Sequence, residues 1–227
     1  MNSRPSRRTM LAAGPLALAS CGSGSDYLGK ADTPCSQRLV FQLGAEPDTL
    51  DPALSQAGSE EFILPSLFEG LLTLHPTTNE PQAALATHYQ SDPAQTQFTF
   101  YLRGHGQPAG IRLEGGPLRS SPARWSDGRI ITAHDFVYSW RRVVDPKTAA
   151  PWAYLLFCIR NAEDVNSSRR PLGSLGVEAI DDFTLRVAMR SPTAWFLQLH
   201  DSFVFYAVPG HVIQNVGSLW TLPEHKT

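Results

Sequence analysis

Thr132-Ala133-His134-Asp135-Phe136-Val137-Tyr138-Ser139-Trp140-Arg141-Arg142-Val143-Val144-Asp145-Pro146 is the stretch on which the fold turns. Phe136, Val137, Trp140, Val143 and Val144 recur at helical spacing and make one apolar stripe. Thr132 stands where an N-cap belongs. Asp135, three residues on, completes a capping-box pattern in which each residue satisfies a free N–H of the other. Asp145-Pro146 ends the segment, because a proline disfavours helical backbone in the residue before it. The spacing predicts a helix over 133–144 with Trp140 in the core.

Working outward, Gln97 to Leu102 alternates, with Phe98, Phe100 and Leu102 on one face of a half-buried strand. Asp127-Gly128 is a tight-turn dipeptide. Val177 to Ile180, a turn at Asp181-Asp182, and Phe183 to Met189 predict a hairpin whose Phe183, Leu185, Val187 and Met189 share a face. Ser191 and Pro192 then cap and open a short helix carrying Trp195, Phe196 and Leu199, with Trp195 expected in the core. Val204 to Val208 reads as a last strand, ended by Pro209-Gly210. Upstream, Arg38 to Gly44 predicts a strand, and Glu46-Pro47 to Asp51-Pro52 a proline-stiffened loop. Glu60 to Leu72 predicts a helix capped by Ser59 and burying Ile63, Leu67 and Leu71, with Pro65 either kinking it or delaying its start. Gly104 to Arg124, dense in Gly, Pro and Arg, reads as a long surface insertion. Strands, hairpins and helices follow one another without a βαβ rhythm, so the fold class is α+β.

The 227 residues are 42% hydrophobic, 18% charged and 10% aromatic, enough to bury a core. A formal charge of −2 offers no basic field for nucleic acid. There is no His-Glu-x-x-His, no Gly-x-Ser-x-Gly and no phosphate loop, and no two histidines sit four residues apart. Gly104-His105-Gly106 with Gly110 misses the dinucleotide spacing by one residue, and Pro108 stands where the helix should begin. Neighbouring Asp181 and Asp182 fit a turn better than a metal or acid–base pair. The sequence gives no reason to expect an enzyme, a cofactor or a bound metal.

The first residues read as an address. Arg4, Arg7 and Arg8 precede a short, mildly apolar stretch from Met10 to Ser20, far below the ~20 residues that span a bilayer. Leu18-Ala19-Ser20-Cys21 follows and resembles a lipoprotein signal-peptide box, which predicts removal of residues 1–20 and lipid attachment at Cys21. Ser6-Arg7-Arg8-Thr9-Met10-Leu11 suits twin-arginine export as well as the general route. Without residues 1–20 the chain keeps 16 basic and 21 acidic residues. Residues 21–36, rich in Gly, Ser and Asp, predict a flexible tether. Cys35 and Cys158 are expected as unpaired thiols rather than a bridge.

Taken in order, several segments resemble the oligopeptide-binding proteins of ABC importers, among the family-five extracellular solute-binding proteins. The resemblance runs from about Leu39 to Pro223. It is carried by Glu46-Pro47 with Leu50-Asp51-Pro52, by Leu67-Phe68-Glu69-Gly70-Leu71, and by Arg124-Trp125-Ser126-Asp127-Gly128. It continues in Thr132 to Arg142, in Asp145-Pro146-Lys147-Thr148-Ala149-Ala150-Pro151, and in Leu175-Gly176-Val177 ahead of Ala179-Ile180-Asp181-Asp182.

What the resemblance implies is a type II periplasmic-binding-protein-like architecture. Residues 37–67 and 210–227 would belong to an incomplete first ligand-binding lobe, and 68–209 to a side domain. Such proteins grip a peptide's main chain by strand-like hydrogen bonding, as monomers, and deliver it to permease subunits outside the cytoplasmic membrane. First-lobe contacts would come from Gln56, Ala57, Gly58 and Ser59. Trp152 stands where the family commonly has a ligand-facing Tyr. The resemblance also implies that the opposing lobe, with the acidic group for the peptide's amino terminus, lies beyond Thr227. The chain then reads as truncated, and by itself as a poor peptide binder. Alternatives are a same-family binder of nickel, haem or a sugar, a non-functional remnant, and an envelope hydrolase.

Overall fold

The helix expected at 133–144 is present as α2, Ala133–Val144, in the computed structural model. That structure describes residues 40, 42–56, 58–106, 110–114, 121–222 and 224. The leader, the tether, Cys21, Cys35 and Ala57 lie outside the described residues. By its contacts Leu43–Thr227 is one unit; of the preceding Met1–Gln42 unit only residues 40 and 42 are described.

The capping box of α2 is formed, with the Thr132 N–H donating to Asp135 Oδ2 at 2.8 Å. All five stripe residues are buried, Trp140 completely. The stripe faces a five-stranded antiparallel sheet built from β3 (Ala86–Ser91), β4 (Gln97–Leu102), β5 (Ile111–Arg112), β6 (Val177–Asp181) and β7 (Thr184–Ala188). The strand order is β5-β3-β4-β7-β6. Phe98 pairs with Val187 and Phe100 with Leu185, so the two alternating stretches read from sequence meet face to face. A separate ribbon pairs β1 (Leu72–Leu74) with β2 (Pro81–Ala83). Three further helices, α1 (Glu60–Leu67), α3 (Ala162–Asn166) and α4 (Gly210–Val216), complete the regular α structure among the described residues. The α+β class is as expected.

Several local expectations are corrected. The first helix stops at Leu67 rather than Leu72, because the Gly70 and Leu71 carbonyls accept from Leu85 and Ala86 N–H at 3.1 and 2.8 Å. Its buried residues are Glu60 and Leu64, and Leu67 is exposed. Ser59 has helical backbone and makes no cap bond; Glu60 instead turns back to accept from the Asp48 N–H at 2.9 Å. Trp195 is exposed, not core. The turn that follows is a 3-10 helix over Phe196–Asp201, and its tighter winding buries Phe196, Leu197 and His200 instead.

Val204 to Val208 is not a strand. Phe203–Phe205 is a 3-10 turn, and Phe205 O and Val208 N–H are satisfied by Trp140 Nε1 (3.1 Å) and Ser139 Oγ (2.8 Å) of α2. Side chains of a helix take the place of a neighbouring strand. The described residues between 38 and 44 form no strand. The segment 104–124 is only partly surface. Ile111 pairs with Tyr89 at the sheet edge, and Leu113 is buried. Gly110, at φ +99°, lies so close to β3 that a Cβ would fall 2.3 Å from Tyr89 O. No side chain larger than hydrogen fits there.

Behind the sheet lies a ring cluster of Phe98, Phe100, Trp140, Phe196, Phe205 and His200. His200 is wholly buried, its Nδ1–H bonded to Phe196 O at 3.1 Å and its Nε2 without a partner. Burial pushes its pKa down from 6.5 to about 4. Between those values the unfolded chain holds a proton that the folded chain refuses. Stability present above pH 6.5 is therefore lost as pH falls through this window, by about 3 kcal/mol in full. Urea midpoints followed from neutral pH down through this window should fall for the native chain and stay flatter for His200→Phe. Equal slopes in both would place the acid sensitivity elsewhere.

Candidate functional site

The loop expected to touch ligand is held from below by one carboxylate. Asp51 is almost fully buried and accepts from Arg142 Nη1 and Nη2 at 2.8 and 2.5 Å, from Trp220 Nε1 at 3.1 Å and from Ala53 N–H at 3.0 Å. Its main-chain carbonyl takes the N–H groups of Leu54 and Ser55. The chain then rises through Gln56, which is exposed, and Gly58, at φ +92°, to half-buried Ser59 and α1. Gly58 uses backbone freedom that other residues rarely have.

α1 is flanked by two grooves that share Pro65. The smaller, of about 610 Å³, contains Trp152 together with Glu61, Leu155, Leu199, Phe203 and Tyr206. Gln56, Gly58 and Ser59 line neither groove. The structure thus places Trp152 beside the helix that those residues lead into, but not in one shared cavity with them.

Trp152 is half-buried, with its ring 5.8 Å from that of Tyr154. Its Nε1–H is shielded from solvent and has no acceptor. A buried donor left unpaired costs free energy, and because no water-sized atom reaches this one it lies behind the groove wall rather than on it. Burial, with the Asp201 carboxylate nearby, pushes the Tyr206 phenol up to about 12, so it stays a neutral hydrogen-bonding group. Phe203 and Tyr206 were missed as site residues. Tyr206 falls in the segment read as a strand and Phe203 just before it, and nothing in the local pattern points to a groove wall.

Among the described residues no three His, Cys, Asp or Glu side chains converge as metal ligands. Cys158 is a free thiol whose pKa burial raises to about 11, so it is not an activated nucleophile. His211 and Asp127 pair at 2.8 Å and join the Trp125–Gly128 turn to α4.

Comparison with known proteins agrees with this architecture. Residues 121–224 match the family described as bacterial extracellular solute-binding proteins, family 5 Middle. The periplasmic oligopeptide-binding protein OppA of Salmonella typhimurium is 32% identical over 224 residues, covering 96% of this chain and 38% of that protein. The probable deoxycholate-binding periplasmic protein YgiS of Escherichia coli is 35% identical over 199 residues, covering 86% of this chain and 34% of its own length. The crystal structure of Haemophilus influenzae OppA in complex with the peptide RPPGFSPFR superposes with a TM-score of 0.69 at 33% identity, over 80% of this chain and 32% of that one. By fold, the described residues match part of the periplasmic peptide-binding structures they superpose on. Residues 121–224 belong with the middle region of the family-five bacterial extracellular solute-binding proteins, and the chain spans about a third of the length of the relatives it matches.

Proposed function

We propose that this chain forms one wall of the peptide site in a substrate-binding lipoprotein that serves a peptide ABC importer and performs no catalysis. The observation that carries the reading is Trp152, set with Phe203 and Tyr206 in an aromatic-lined groove beside α1. Peptide side chains pack against this aromatic surface, which tolerates many of them. In this reading residues 37–67 and 210–227 contribute to the first ligand-binding lobe, with Gln56, Ala57, Gly58 and Ser59 as contacts. Residues 68–209 form the side domain. Peptide binding then needs a facing lobe of the kind the longer relatives have room for.

The test is a chimera in which this chain replaces the corresponding part of the Salmonella relative, titrated with tripeptides to pentapeptides by calorimetry. Binding is expected, and Trp152→Ala in the same chimera should weaken it about tenfold, the worth of the apolar surface the ring covers. A folded chimera that binds no peptide, or one indifferent to Trp152, contradicts the proposal.

The same reading places the protein on the outer face of the cytoplasmic membrane or in the periplasm, held by a lipid on Cys21. Leu18-Ala19-Ser20-Cys21 behind a basic, apolar leader supports this. Expressed in bacteria, the protein should sediment with membranes and carry a diacylated N-terminal cysteine by mass spectrometry. Cys21→Ala should release it, and an unmodified Met1 on protein in the soluble fraction contradicts the anchor.

A further inference from the structure

The groove around Trp152 is one-sided in charge. Glu61, in the first turn of α1, and Asp201, at the end of the 3-10 helix, both line it, and its lining holds no Lys, Arg or His. Both acidic residues are exposed, and neither carboxylate has a hydrogen-bond or ion-pair partner among the described residues. They are free to meet whatever enters the groove.

A buried polar group points the same way. Tyr206, on the same lining, is only 8% exposed. Its hydroxyl has no hydrogen-bond partner among the described residues, yet solvent reaches it. The Asp201 carboxylate lies close enough to act on that phenol, which places the hydroxyl at the acidic end of the groove. A neutral phenol oxygen is an acceptor as well as a donor.

The lining therefore offers two open carboxylates, one phenol oxygen and the aromatic surfaces of Trp152 and Phe203. An anion is repelled here, and a purely apolar group leaves the three oxygens with water alone. An ammonium or guanidinium donates to these oxygens and is attracted to the neighbouring rings. The aliphatic stem of a lysine or arginine meanwhile covers apolar surface at Leu155 and Leu199.

We propose that this groove takes a basic side chain of the bound peptide, with Glu61 and Asp201 as the residues that set the preference. The proposal rests on the peptide-binding reading and adds to it the class of peptide preferred.

The experiment follows the indole N–H signal of Trp152 in the full chain by NMR, assigned through Trp152→Phe. N-acetyl, N-methylamide derivatives of lysine, norleucine and glutamate are titrated separately. The lysine compound should shift the signal saturably, the norleucine compound should bind about fivefold more weakly, and the glutamate compound should leave the signal in place. Glu61→Gln combined with Asp201→Asn, both at exposed positions, should bring lysine down to the norleucine level. Equal affinity for lysine and norleucine in the native chain overturns the proposal, and so does a lysine preference that survives the double variant.

A second arm separates this proposal from the reading beneath it. The chimera with the Salmonella relative is titrated with trialanine and with the same peptide carrying lysine at each position in turn. Peptide binding with no gain from lysine at any position leaves the peptide reading standing and overturns the basic preference alone. Capped lysine bound by the full chain while the chimera binds no peptide overturns both, because the cation site then serves no peptide.

Discussion

Replacing Trp140 by alanine is expected to destabilise the protein by about 3–5 kcal/mol, read as a fall in the urea midpoint at unchanged slope. The indole is fully buried in α2, with edge-on ring contacts to Phe136, Phe196 and Phe205 at centroid distances of 6.3, 6.5 and 5.5 Å. Alanine removes the largest of the fully buried side chains, and a densely packed ring cluster cannot close over the space. A second loss comes with it. Trp140 Nε1 is the donor that satisfies Phe205 O where the chain runs without a strand partner. Trp140→Phe keeps most of the packing and drops that bond, so it should cost about 1–3 kcal/mol less than alanine does. A loss below about 1 kcal/mol for Trp140→Ala would contradict the burial of this side chain.

Asp51→Asn is expected to cost a similar amount, about 3–5 kcal/mol, for an electrostatic reason. Asparagine keeps the size of the side chain, but with one acceptor oxygen it can serve Ala53 or Trp220, which bond different oxygens of Asp51, and not both. What it removes is the negative charge facing Arg142, whose side chain is only 15% exposed. An uncompensated buried guanidinium is the costly product, not the lost pair itself. Asp51→Asn with Arg142→Met should therefore be more stable than Asp51→Asn alone. If the double variant adds the two single losses, the charges are not coupled and the bidentate geometry carries no energy. The effect should extend to both ends of the described chain, because Asp51 reaches Arg142 and Trp220 across 91 and 169 residues of sequence.

These two residues show how unevenly the fold was legible. Trp140 could be placed from its neighbours alone, since a stripe at helical spacing, a capping box and a proline stop lie within fifteen residues. Asp51 could be read only as part of a Leu-Asp-Pro turn. Its partners stand on α2 and near Thr221, and no local pattern reveals an ion pair between such distant segments. The pairing of β4 with β7 was foreseeable in its faces but not in its register, which the chain sets across some ninety residues.

The candidate site was less legible still. Trp152 was marked by resemblance, while its unpaired N–H and its neighbours Phe203 and Tyr206 emerged only in three dimensions. Trp195 shows the opposite error: assumed α-helical spacing put it inside, and a tighter 3-10 turn put it outside. The first helix failed for a related reason. Its expected continuation to Leu72 lost to hydrogen bonds that Gly70 and Leu71 make with Leu85 and Ala86.

By itself the sequence determined α2, the faces of β4 and β7, the turn at Asp181-Asp182 and the ordered motifs that place the chain in its family. Those features rest on local periodicity and on caps and turns whose partners lie a few residues away. Only the tertiary structure decided where α1 ends, what satisfies Phe205 and Val208, and how two grooves come to flank one short helix. Each of these depends on a backbone or side-chain group finding its partner far along the chain, and that competition is settled by packing rather than by propensity.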